Sequence, residues 1–149
     1  MKVDSLEFRY LAPKEPDVLI GLSDFGNFVC VVLLSIEVSN RWRDQICLSL
    51  VGSGCYYFMA WGRKCEEWHD CLDWTLLEKY NFREIPREKI VMTTEHGTEE
   101  TLEDVFHFAK YSTSNYGANS PSIQSTNFLI LDIGNCGRHE ELFQLFQRV

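Results

Sequence analysis

Hydrophobic positions along this chain fall into short continuous runs that alternate with stretches of helical period. Leu6, Phe8 and Tyr10 alternate with polar neighbours, which predicts a short half-buried strand, and Pro13 and Pro16 end it. Residues 17–27 carry no clear period, and Gly21 and Gly26 disfavour a long helix there. Residues 28–37 are nearly continuous in apolar and β-branched side chains, the mark of a strand covered on both faces. Ser39 is placed to cap a helix over Asn40–Val51, with Trp42, Ile46 and Leu50 four apart on one face, and Gly52 and Gly54 stop it. Residues 55–61 predict a second core strand. Residues 64–80 predict a helix with Cys65, Trp68, Leu72 and Leu76 on its buried stripe.

After a turn at Ile85-Pro86-Arg87, residues 89–93 read as a third strand. Thr98 is positioned to cap a helix to about Lys110, whose inner face is Leu102, Val105, Phe106 and Ala109. Residues 111–126 are rich in Ser, Asn, Thr and Gly and include Pro121, which predicts a flexible or functional loop. Asn127–Ile133 is a fourth apolar strand, and residues 138–148 form a last helix packed through Leu142, Phe143 and Phe146. Strand followed by helix, four times over, predicts a single α/β domain over residues 1–149. The expected fold is a small three-layer sandwich of Rossmann or flavodoxin-like type: a mainly parallel sheet of four to five strands with helices on both faces and right-handed crossovers. No internal repeat interrupts it.

Parallel strands bring their carboxyl ends to one edge, where open α/β folds place ligands. Polar and aromatic residues cluster just past the apolar runs: Ser39–Arg43 after the first, Trp61, Gly62, Arg63, Cys65 and His69 after the second, Thr93, Thr94, Glu95 and His96 after the third. The glycine lets the backbone turn beside the indole, and Trp61 is an aromatic of the kind that anchors interfaces and pockets. Thr93, Thr94, Glu95 and His96 suit a polar ligand, and equally suit capping chemistry around Thr98. Cys65, His69 and Asp73, four residues apart, form one row on a helix surface in the order nucleophile, base and orienting carboxylate. Against that triad stand Glu66 and Glu67, which oppose a thiolate, and the place of Cys65 on the buried stripe. Cys65 and His69 with His96, Cys136 or His139 also contain zinc-ligand chemistry, but no CxxC pair is present, and the spacing by itself predicts no metal site.

Composition narrows the function classes. At 45% hydrophobic and 24% charged the chain is globular, and a net charge of −8 argues against nucleic acid and anionic membranes as partners. No turn reads GxGxxG or GxxxxGK, and Glu66-Glu67, Glu99-Glu100 and Glu140-Glu141 fall where three helices open and would repel a phosphate. Only Ser39, Arg41 and Arg43 at the first helix suit one anionic group. No cofactor is expected. The start of the chain shows no secretory pattern, the longest apolar run is short of the ~20 residues that span a bilayer, and six cysteines then read as reduced thiols in a cytoplasmic protein, Cys30 and Cys55 as buried hydrophobes.

The segments Tyr57-Phe-Met-Ala-Trp-Gly62, on through Cys65 and Trp68 to Asp73, and Val91-Met-Thr-Thr with His96, resemble a small uncharacterised bacterial α/β domain family over about residues 28–109. The resemblance implies a bacterial or phage origin and no activity. The expected function is a cytosolic binding or interaction module that takes a protein partner or small polar ligand at the strand ends. Size and acidity fit an accessory protein of a bacterial defence or toxin–immunity system. The alternative is a small thiol- or zinc-dependent hydrolase using Cys65 and His69. A homo-oligomer built on Trp42, Trp74 or the last helix is a third possibility.

Overall fold

The computed structural model describes residues 7–113 and 127–149. Five strands, β1 (Phe8–Leu11), β2 (Phe28–Leu34), β3 (Cys55–Gly62), β4 (Met92–His96) and β5 (Asn127–Ile133), form one sheet in the order β1-β5-β2-β3-β4. Every pairing is parallel. Four helices cover it: α1 (Asn40–Val51), α2 (Cys65–Lys79), α3 (Leu102–Tyr111) and α4 (His139–Arg148). The expected three-layer α/β sandwich is therefore present; counted from β2, the strands β4-β3-β2-β5 follow the 3-2-1-4 order of the dinucleotide fold, with β1 added outside β5.

The period-2 pleat of β2 divides the core. Phe28, Cys30, Val32 and Leu34 face α1 and α2, where Trp42, Ile46, Leu50, Trp68, Leu72 and Leu76 meet them. Val29, Val31 and Leu33 face α3 and α4, against Val105, Phe106, Ala109, Leu142 and Phe146. All seven β2 positions are buried, so a run without polar alternation is what a central parallel strand requires. Each such side chain contributes about 1.5–3 kcal/mol of burial. Trp42 belongs to this core, with its indole N–H donating to the Asp17 carbonyl at 2.7 Å, so it supplies no oligomer patch; Trp74 is exposed, edge-on to Phe82. Cys30 and Cys55 are buried as expected.

Two boundaries move. β4 begins at Met92 rather than Lys89, because Arg87–Lys89 close a short 3-10 turn after Pro86, and it continues through Glu95 and His96. It is an edge strand, half solvated, so polar residues are at home within it. The α3 cap is Thr101, not Thr98. Thr101 Oγ1 accepts the Asp104 N–H at 3.1 Å while the Asp104 carboxylate accepts the Thr101 N–H at 3.4 Å, a reciprocal box that Thr98 cannot form with Thr101 three residues on. Glu99-Glu100 consequently precede α3 instead of opening it. The expected loop over residues 111–126 lies, from residue 114 on, outside the described residues, and Tyr111 closes α3. Among the described residues no helix is long and apolar enough to cross a membrane.

Candidate functional site

The parallel sheet brings all five carboxyl ends to one edge, yet the residues expected to share a pocket there are divided by the sheet. Thr93 and Glu95 point from β4 toward α2: the Thr93 hydroxyl donates to Asp73 Oδ1 at 2.7 Å, and Glu95 Oε1 lies 3.7 Å from His69 Nδ1. Thr94 and His96 point the other way. His96 Nε2 meets the Thr94 hydroxyl at 2.8 Å, its Nδ1 meets the Glu100 carboxylate at 3.0 Å, and its ring stands edge-on to Phe108 of α3. Trp61 joins this second group, donating its indole N–H to the Glu100 carbonyl at 3.0 Å. The side chains alternate because residues 93–96 are strand, not the loop after one. His69 and His96 thus lie on opposite faces and form no common cleft.

Gly62 does turn the chain, at φ +107°, and it brings the backbone close to β2: a Cβ there would lie 2.6 Å from the Leu34 carbonyl oxygen. Arg63 donates its N–H to that same oxygen and pairs with Glu37 at 2.8 Å on the surface. Of the row on α2, His69 Nε2 lies 3.7 Å from Asp73 Oδ2, while among the described residues no hydrogen bond joins Cys65 to His69. The Cys65 thiol instead lies 3.6 Å from Glu66 Oε2 as donor. Burial first, and then the Glu66 carboxylate, push its pKa up. A thiol held in its protonated form is a poor nucleophile.

The anion position at α1 is filled from within. Ser39 caps the helix by accepting the Trp42 N–H at 3.2 Å, and the Glu15 carboxylate accepts both the Ser39 N–H, at 3.2 Å, and the Ser39 hydroxyl. Arg43 is committed to Glu67 at 3.3 Å. The helix end most suited to a phosphate therefore already holds a carboxylate of the same chain.

Sequence alone cannot locate the place where the winding reverses. α1 and α2 carry β2 to β3 to β4 along one face; α3 returns to β5 along the other, and α4 follows β5 on that same face. β2 and β5 lie side by side with their following helices on opposite faces, so the switch in winding falls between them, the position at which open α/β sheets open a crevice. A crevice of about 430 Å³ lies there. Ile36, Val38, Trp42 and Ile133 give it apolar walls, and Glu15, Asn135 and Cys136 are among its polar groups. The larger depression, about 930 Å³, is an open trough on the outer faces of α1 and α2, lined by Arg43, Asp44, Asp70, Cys71 and Trp74. There a hydrogen bond with Cys47 pulls the Cys71 thiol's pKa down. It is broader, more open and remote from the strand ends, so the crevice is the better candidate.

One side of the crevice, residues 134–136, is fixed by a buried ion pair. Asp132, fully buried near the end of β5, accepts two hydrogen bonds from Arg138, at 2.8 and 2.9 Å, and one from the Tyr10 hydroxyl at 2.5 Å. Burial first, then the bond to Asp132, raise the Tyr10 pKa to about 12. The signal was legible as a lone acid inside an apolar run with an arginine six residues on. The profile of a family described as a domain of unknown function, DUF7684, matches residues 8–149, from the first residue of β1 to the end of the chain. The chain belongs to that family. No curated protein and no solved structure matches it. Within DUF7684, then, this chain combines an all-parallel sheet, a crevice at the switch in winding and an α1 N-terminus closed by Glu15.

Proposed function

We propose that this chain is a binding module that holds a small polar, uncharged or cationic ligand in the crevice at the carboxyl ends of β2 and β5. The observation that carries the reading is the coincidence of a crevice of about 430 Å³ with the point where the helices change face. That volume lies within the ~300–1,000 Å³ range of small-molecule sites. Apolar walls with a few polar groups at the rim suit a ligand with one apolar face and one or two hydrogen-bonding groups. The rim carries Glu15, bonded to Ser39, and Glu37, paired with Arg63, against one cation, Lys14, and with a net charge of −8 on the chain this balance disfavours anions. As part of the same proposal, a cytosolic accessory role in bacterial defence or immunity rests on size and acidity alone.

The test is a thermal-shift panel of small ligands grouped by charge, run on the wild type and on Ile36→Trp. Ile36 is 49% exposed on the crevice wall, so an indole there fills the cavity with little effect on the core. The expected result is a rise in Tm of several degrees with an uncharged or cationic ligand, roughly 2–4 °C per kcal/mol of binding stabilisation, abolished by Ile36→Trp. Stabilisation by anionic ligands alone, or a response that Ile36→Trp leaves intact, contradicts the proposal.

A further inference from the structure

The trough of about 930 Å³ on the outer faces of α1 and α2 shares no lining residue with the crevice. It is broad and open, so it suits a segment of another protein better than a small molecule. β2, β3 and β4 are parallel, with α1 and α2 joining them along one face, so the two helices run in the same direction. At 1.5 Å per residue they are about 18 and about 22 Å long, and the groove between them matches a helix of three or four turns. We propose that this groove docks a basic amphipathic helix of a partner protein, with an apolar residue flanked one turn away on each side by lysine or arginine.

Three observations carry it. The first is apolar surface left in water. Leu48 on α1 and Trp74 on α2 line the groove at 55% and 58% exposure. Phe82, equally exposed, stands edge-on to Trp74 with ring centroids 5.2 Å apart. Apolar anchors of this kind hold a helix in a groove, and tryptophan is prominent among the residues that dominate interface energies. The second is backbone strain. Asn81 and Phe82 both hold a left-handed φ, 55° and 59°, which asparagine tolerates and a bulky phenylalanine rarely adopts. The Phe82 N–H closes the end of α2 on the Leu77 carbonyl at 2.9 Å, and the strained residue keeps its ring on the surface against Trp74.

The third is charge, and it selects the occupant. Asp70, Trp74 and Glu78 stand four apart in one row along α2, so the indole lies between two exposed carboxylates. Among the described residues neither pairs with a lysine or arginine; Asp70 meets the His69 imidazole at 3.1 Å. Arg43 is already held by Glu67 at 3.3 Å and Asp44 at 3.8 Å. The groove thus carries Asp44, Glu67, Asp70 and Glu78 against Arg43 and Lys79, on a chain of net charge −8. A helix laid along α2 with its apolar residue on Trp74 brings the side chains one turn before and after it beside Asp70 and Glu78. Lysine or arginine there complements both carboxylates, and an acidic helix is repelled.

The test titrates the whole chain, by fluorescence anisotropy at low salt, into a labelled, stapled helical peptide of about 15 residues. The peptide is alanine-rich, with a central leucine and a lysine four residues to either side; a control peptide carries glutamate in place of each lysine. The lysine peptide should bind saturably and roughly 10-fold more tightly than the glutamate peptide. Trp74→Ala should weaken it roughly 10-fold. Trp74 is exposed, so that variant should fold, and its melting curve checks this. Asp70→Asn with Glu78→Gln should bring the two peptides to within about 3-fold of each other. The proposal is overturned if the lysine peptide does not bind, if the glutamate peptide binds as tightly, or if Trp74→Ala binds as wild type. It is also overturned if sedimentation shows that the chain alone is a dimer which Trp74→Ala dissociates, since a second copy would then be the occupant. None of these outcomes bears on ligand binding in the crevice, which Ile36→Trp reports separately.

Discussion

Arg138→Met should unfold at a temperature roughly 6–12 °C below the wild type. Asp132 is fully buried, and Arg138 is the cation that makes its burial tolerable, through two hydrogen bonds at 2.8 and 2.9 Å. Removing one member of a buried pair costs about 3–5 kcal/mol because the remaining charge is left uncompensated. The Arg138 side chain keeps 28% of its surface exposed, which places the loss toward the lower end, about 3 kcal/mol. For a chain of this length each kcal/mol is roughly 2–4 °C. A double variant, Asp132→Leu with Arg138→Met, should recover most of the loss, since a well-packed apolar pair replaces a buried ionic one at little cost. If the two single changes simply add, the pair is not the unit described here. Calorimetry of the four proteins decides it.

The same cluster makes an alkaline prediction. Tyr10, with a folded pKa raised from 10.0 to about 12, keeps its proton longer in the folded chain than in the unfolded one. Its contribution to stability is therefore complete below pH 10 and is lost as pH rises toward 12. Arg138 also holds residues 134–137 against the end of β5, so its loss should loosen one wall of the crevice as well as the fold.

Gly54→Ala should be the most damaging single-methyl change in the chain, at about 3 kcal/mol, the upper end of what overpacking ordinarily costs. A Cβ at Gly54 would overlap the Gly26 carbonyl oxygen and sit 2.8 Å from its carbon. The obstacle is backbone, which cannot rotate away as a side chain would. The Phe28 N–H bonds to the Gly54 carbonyl at 3.1 Å at this point, where the register of β2 on β3 shifts between Phe28 and Val29. Pushing the two backbones apart would disturb the pairing of the two most buried strands from their first residues. Gly21→Ala is the control: that position has φ +77° but open space around it, so only the left-handed backbone is strained, about 1 kcal/mol. Chemical denaturation separates the two. Equal losses would mean that the β2–β3 entry yields more easily than its packing implies.

Much of the fold was readable because its signals are local. Ser39 marks α1, the periodicity of Trp42, Ile46 and Leu50 its buried face, and the run from Asn127 to Ile133, apolar from Phe128 to Leu131, a fourth strand. β4 was read early because an edge strand tolerates Thr, Glu and His, which look like loop chemistry when only apolar runs are counted. Once residues 92–96 are strand, the two-residue pleat alone separates Thr93 and Glu95 from Thr94 and His96, so the division of the expected pocket was present in the sequence but hidden by the boundary. The crevice was not readable at all. It depends on β5 inserting between β1 and β2, a pairing between segments far apart in the chain that no local pattern records. Glu15 reaching Ser39 is hidden for the same reason, although both lie beside a predicted helix start.

Whether the chain meets its ligand between the ends of β2 and β5 is tested most directly by amide NMR of isotope-labelled protein against a collection of small uncharged and cationic fragments. The predicted result is a cluster of perturbed resonances on the backbone of Ile36, Glu37 and Val38 and of Gly134, Asn135 and Cys136, the two stretches that face each other across the crevice. Perturbations gathered instead in the trough between α1 and α2, or no cluster at the strand ends, would contradict it.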